Sequence, residues 1–62
     1  MKFTLEIDMD NAAFEGQNGA ESARILDTLT KRLSEYNLET GDTFPLRDLN
    51  GNSVGRAVVY ED

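Results

Sequence analysis

The alternation of apolar and polar side chains divides the chain into one helix and three strands. Between Ala20 and Tyr36 the apolar residues recur at the three- and four-residue spacing of an amphipathic helix. We expect this helix to rest on a core, because charged residues fill its opposite side. The side chains predicted to face the core are Ser22, Ile25, Leu26, Leu29, Leu33 and Tyr36.

The segment from Lys2 to Asp10 alternates strictly between polar and apolar residues, which predicts a strand with one buried face and one wet face. The apolar positions are Phe3, Leu5, Ile7 and Met9. The wet face carries Glu6, Asp8 and Asp10 in a row, so like charges repel along the strand. We expect this acidic face to attract a basic partner.

Two further strands are predicted at Thr43 to Asp48 and Ser53 to Tyr60. Asn50-Gly51 between them is a strong signal for a type I′ hairpin turn, with Asp48 capping the turn. Pro45 cannot donate to a strand ladder, so the second strand belongs at a sheet edge. The third strand ends in a run of apolar residues that suits a central position.

A two-residue turn sets the register of this hairpin: Phe44 pairs with Ala57, and Leu46 pairs with Gly55. These residues would then lie under the helix. Three side chains would lie on the far face as an exposed apolar patch: Val54, Val58 and Tyr60. A three-residue or bulged turn would reverse the assignment.

The 62 residues therefore predict a single small α+β domain with β-α-β-β order. One helix packs on a three-stranded antiparallel sheet of order 2-3-1, in two layers. Asn18 is the predicted N-cap of the helix, and Glu21 stands three residues later in the position of a capping box.

The residue types present exclude most catalytic chemistry. The chain has neither cysteine nor histidine, so thiolate sites are excluded and the serines have no histidine base. Segments beginning at Asp8 and at Asp48 resemble the start of a calcium loop, but neither has the required Gly at position six and Glu at position twelve. The glycine-rich loop from Gly16 to Gly19 has no lysine nearby to bind phosphate. We expect no enzyme activity, no catalytic residue, no cofactor and no metal.

Charge and hydropathy indicate the kind of partner. Twelve acidic and six basic residues give a net charge of −6, which disfavours direct nucleic-acid binding and favours a basic protein partner. No signal peptide is recognisable, and no apolar run approaches the roughly 20 residues that span a bilayer. We therefore expect a cytoplasmic protein without membrane contact.

Two segments resemble a group of small proteins encoded by tailed phages and prophages of bacteria. One is the FxLEIDMDNAAF sequence from Phe3 to Phe14, and the other is the LRDLNGNxVG sequence from Leu46 to Gly55. Ala23-Arg24-Ile25-Leu26, followed by Leu29 and Leu33, fits the same pattern. The resemblance implies a phage or prophage accessory protein that acts inside a bacterial cell, and it transfers no catalytic residue.

Together these observations predict a non-enzymatic accessory protein that binds another protein. Its candidate binding residues are the acidic strand face and the apolar patch, namely Glu6, Asp8, Asp10, Val54, Val58 and Tyr60. One specific form is an acidic inhibitor of a host protein that handles nucleic acid or acts in defence. The alternative is a small structural protein that associates with itself, for example as a homodimer.

Overall fold

One helix lies against a three-stranded antiparallel sheet in the computed structural model, which describes residues 1–62. The elements in chain order are β1 (Lys2–Ile7), a short 3₁₀ helix (Ala12–Phe14), α1 (Asn18–Leu33), β2 (Thr43–Arg47) and β3 (Ser53–Tyr60). Strand β3 is central and pairs antiparallel with both neighbours, so the predicted α+β fold and its 2-3-1 sheet order are confirmed.

The hairpin has the predicted register but a different turn. Phe44 pairs with Ala57 and Leu46 pairs with Gly55, and a β-bulge follows between Leu46 and Arg47. A type I′ turn requires positive φ at both central residues, but only Gly51 has it here, at 85°. The prediction of that turn type is therefore wrong: the bulge lengthens the connection, which Asp48 closes by hydrogen bonds described below.

Val54 was expected on the exposed far face of the sheet, and that expectation is wrong. Its side chain is only 7% exposed, and it belongs to the same core cluster as Ala13 and Phe14. The chain after β1 runs back over this end of β3, where the Asp8 amide donates to the Val54 carbonyl at 2.7 Å. Val54 therefore presents little of its surface to a partner.

The core lies between α1 and the strands β2 and β3. Ile25 and Leu29 from the helix are buried in it, with Leu33 partly buried at its margin. Leu26 and Tyr36, predicted to face the core, are instead exposed. The helix ends at Leu33, so the periodicity that includes Tyr36 runs past the true helix.

The start of α1 also differs from its prediction. Gln17 occupies the N-cap position without a side-chain capping bond, while Asn18 is already helical. Glu21 does not close a capping box, because its carboxylate is buried against the hairpin loop. No helix of the chain has both the length and the apolar character that crossing a membrane requires.

Candidate protein-binding site

Asp8 and Asp10 lie just beyond the end of β1, where the chain leaves the sheet. The Asp8 amide makes the last hydrogen bond to β3, at the Val54 carbonyl. The Asp8 carboxylate then accepts a bond of 3.1 Å from the Asp10 amide, which is the local pattern of an Asx turn. This turn holds the two carboxylates side by side.

The two carboxylates repel each other. Contact with the Asp8 carboxylate, first through a shared hydrogen bond and then through its like charge, raises the pKa of Asp10 above its usual value. None of the four ion pairs in the structure includes Glu6, Asp8 or Asp10. A cation placed between these groups would favour their ionised forms and relieve the repulsion.

A shallow depression of about 240 Å³ lies next to this pair, lined by Asp8, Asp10, Asn11, Ser53 and Val54. Asn11 gives it a fixed edge: its Oδ1 accepts from the Ala13 amide at 3.0 Å, and its Nδ2 donates to Asp48 at 2.7 Å. The volume is several times the roughly 30 Å³ of one water molecule. The depression can therefore take the charged end of one lysine or arginine side chain.

A second depression, of about 340 Å³, lies at the junction of β1 and β3. It is lined by Thr4, Leu5, Glu6, Arg56, Val58 and Tyr60. Glu6 lies directly opposite Arg56 in the strand pairing, while Val58 is half-buried and Tyr60 is exposed. All six predicted binding residues thus line one of the two depressions, although Val54 is only 7% exposed.

Two other acids, Glu21 and Asp48, are buried to 4% exposure and fully engaged in hydrogen bonds. The Asp48 carboxylate accepts from the Asn50 and Asn52 amides and from both the Asn52 and Asn11 side chains. Its predicted role as the cap of the hairpin turn is confirmed. Burial acts to raise the pKa of Asp48, but these hydrogen bonds outweigh it and leave the pKa lowered.

Sequence reasoning missed the burial of Glu21, although the signal was present. Glu21, Ile25 and Leu29 are spaced by four residues each, so they share one side of α1 with the core. The hydrogen bond from Arg24 is the main cause that lowers the pKa of Glu21, and it outweighs the effect of burial. Arg24 in turn has its pKa raised by the same bond.

Glu21 and Asp48 are held as structural carboxylates. The lowered pKa values keep Glu21 and Asp48 ionised, and donors already occupy their oxygen atoms. No three or more acidic, histidine or cysteine side chains are grouped so that they could hold a metal ion. What the two depressions offer chemically is three carboxylates, with Arg56 opposite the carboxylate of Glu6, beside an aromatic ring and valine side chains.

Comparison of the chain with protein-family models, with curated proteins and with solved structures finds no significant match.

Proposed function

We propose that the chain is a non-enzymatic protein-binding module that docks a basic surface along the β1–β3 junction. The observation that carries the proposal is the Asp8–Asp10 pair, whose carboxylates repel each other and have no cationic partner within the chain. A lysine or arginine from a partner would remove this repulsion and gain charge-assisted hydrogen bonds.

The neighbouring groups supply the rest of a small interface. Glu6 extends the acidic row, and Tyr60 provides a flat aromatic surface of the kind enriched in protein interfaces. Val58 adds a half-buried apolar contact beside it. A partner would therefore present a cationic residue to the Asp8–Asp10 end and an apolar residue to the Tyr60 end.

The resemblance to phage and prophage proteins supports a role as an accessory protein in the cytoplasm of a bacterial host. A protein that grips nucleic acid presents arginine and lysine side chains at phosphate spacing. Carboxylates on this acidic chain would occupy those positions in place of phosphates. The specific form that we propose is an inhibitor of a nucleic-acid-handling or defence protein.

The proposal is tested by comparing what the wild-type chain and two charge-matched variants retain from bacterial lysate. Asp8→Asn/Asp10→Asn removes the acidic pair. The control, Glu35→Gln/Glu39→Gln, removes two exposed charges elsewhere, so both variants have the same net charge. We expect the wild type and the control to retain the same proteins at low salt and to release them when the salt concentration is raised. The Asp8→Asn/Asp10→Asn variant should not retain these proteins. Equal retention by both variants would contradict the proposal.

A purified probe locates the contact independently of any lysate protein. In a titration with a short arginine-containing peptide, the amide resonances of Asn11 and Ser53 should shift first, because both residues line the depression. The Asp8→Asn/Asp10→Asn variant should lose these shifts. Shifts spread evenly over all acidic residues would show nonspecific attraction and would reject the site.

A further inference from the structure

The two edge strands differ in whether the backbone groups on their outer side are hydrogen-bonded. The Asp8 amide donates to the Val54 carbonyl, one step beyond the β1–β3 pairing. In this register the even-numbered residues of β1 are the ones whose backbone groups bond to β3. In an antiparallel ladder the alternate residues point the other way. Phe3, Leu5 and Ile7 therefore direct their amides and carbonyls to the free side of the sheet.

On β2 two of the outer carbonyls are covered and one outer amide hydrogen is missing. Pro45 has no amide hydrogen, and its carbonyl accepts from the Arg32 guanidinium at 3.3 Å. The Arg47 carbonyl accepts from the Arg24 guanidinium at 3.1 Å. No loop or side-chain hydrogen bond reaches the corresponding groups of β1. Of the two edges, β1 is therefore the more open to another strand.

A strip of apolar side chains is exposed beside β1, on the side of the sheet that carries the helix. Ser22 of α1 contacts the sulfur of Met9 at 3.4 Å, which shows which flank of the helix faces β1. Leu26 lies one turn further along that flank. The exposed fractions of the strip are 41% for Phe3, 38% for Leu5, 49% for Met9 and 42% for Leu26.

We propose that a second copy of this chain pairs with the free side of β1 in antiparallel orientation, with the two-fold axis at Thr4. This register places Lys2 opposite Glu6 of the second copy, twice by symmetry. It also pairs Phe3 with Leu5 of the second copy, so the two apolar strips join. The result is a continuous six-stranded sheet.

Charge selects both the occupant and the register. A two-fold axis at Glu6 would set two glutamates face to face, which opposes pairing. An axis at Leu5 would set Thr4 opposite Glu6, and its only ion pair, Lys2 with Asp8 of the second copy, would involve a residue beyond the end of β1. With the axis at Thr4, the Asp8–Asp10 pair of each copy lies beyond the paired segment. The pairs of the two copies are then at opposite ends of the interface. This pairing goes beyond the proposed function and leaves the Asp8–Asp10 pair free.

A single cysteine at the two-fold axis reports this geometry directly, since the native chain contains none. Thr4 would face its symmetry mate in a non-hydrogen-bonded pair with about 4.5 Å between Cα atoms, within disulfide range. We expect Thr4→Cys to form a covalent dimer under mild oxidation at low protein concentration. Thr43→Cys, on the covered β2 edge, is the matched control and should stay monomeric. Equal cross-linking of both variants, or none at Thr4→Cys, would overturn the proposal.

Exchanging the two charges tests the register. Lys2→Glu and Glu6→Lys each set like charges opposite one another, and each should weaken self-association in sedimentation equilibrium by about tenfold. A mixture of the two variants should associate again, because every pair is then of opposite sign. Both chains stay net negative, since each substitution changes the net charge of −6 by only two, so overall attraction cannot explain rescue.

Three outcomes would reject the pairing: a wild-type chain that remains monomeric at millimolar concentration, a mixture that fails to associate, or rescue of Lys2→Glu by Asp8→Lys instead. Glu6 faces Arg56 within its own chain, so urea unfolding first establishes that Glu6→Lys is folded. The Asp8→Asn/Asp10→Asn variant should keep its self-association, which separates this proposal from the proposed function.

Discussion

Glu21 accepts a hydrogen bond of 2.7 Å from the backbone amide of Leu49, which joins the first turns of α1 to the hairpin loop. Arg24 holds the same carboxylate with bonds of 2.8 and 2.9 Å and also reaches the Arg47 carbonyl. Helix and hairpin are thus tied by a buried polar contact in addition to the apolar core.

Removing the Glu21 carboxylate should loosen this tie. Glu21→Ala leaves the Leu49 amide without its acceptor and Arg24 without its ion-pair partner, so we expect the melting temperature to fall by about 4–8 °C or more. Glu21→Gln keeps one acceptor oxygen and should lose less. Thermal unfolding followed by circular dichroism measures both, with Glu15→Ala as an exposed control. If Glu21→Ala and the control have the same melting temperature, the contact of Glu21 with Leu49 and Arg24 does not contribute to stability.

Stability should fall in acid because of Glu21 and Asp48. Both have folded pKa values below their ordinary values of 4.5 and 3.8, so the unfolded chain binds protons more readily. Their contribution to the free energy of unfolding is complete above pH 4.5 and is lost as the pH falls through the folded pKa values. Urea unfolding at a series of pH values measures this slope. Glu21→Gln should flatten it, and an unchanged slope would count against the assignment.

Asp10 should behave in the opposite way. Its pKa is raised by Asp8, so at neutral pH the folded state carries a repulsion that the unfolded chain lacks. Asp10→Asn should therefore raise the urea midpoint slightly while weakening binding of a basic partner. Glu35→Gln, which removes an equal charge outside this pair, should leave the midpoint unchanged. A lower midpoint for Asp10→Asn would show that the pair stabilises the turn.

Gly55 should tolerate no larger residue. A Cβ at this position would overlap the carbonyl oxygen of Glu6 in the neighbouring strand, and backbone cannot move aside cheaply. We expect Gly55→Ala to cost about 3 kcal/mol or more in chemical unfolding. Gly19→Ala is the matched control, because its Cβ would meet no atom within 4 Å inside α1. This control should gain about 0.5–1 kcal/mol from improved helix propensity.

The sequence determined the pairing of the hairpin strands and the sheet order well, though not the turn type, because the relevant signals are local. Pro45 excludes β2 from the centre of the sheet, and Asn50-Gly51 fixes where the chain reverses. The helix was also located, though not its rotation. Periodicity favours a face centred near Ile25 without saying which flank the strands cover, so Leu26 was wrongly placed in the core.

The candidate site was predicted only in part, for a similar reason. Asp8 and Asp10 are close in the chain, so their proximity follows from any compact local structure. The burial of Val54 depends on the path of the segment after β1, and the burial of Glu21 depends on the Leu49 amide 28 residues away. The local pattern of apolar and polar residues does not reveal either of these distant contacts.

The arginine contacts to the Pro45 and Arg47 carbonyls have a consequence for assembly size. Strand addition that can occur on both sides of a sheet propagates into fibrils. In the dimer that we propose, the β2 edge of each copy is the only edge left, and the bonds from Arg24 and Arg32 to its carbonyls oppose further growth beyond two sheets. Removing both guanidinium groups would free these carbonyls and leave Pro45 as the main obstacle to growth on that side.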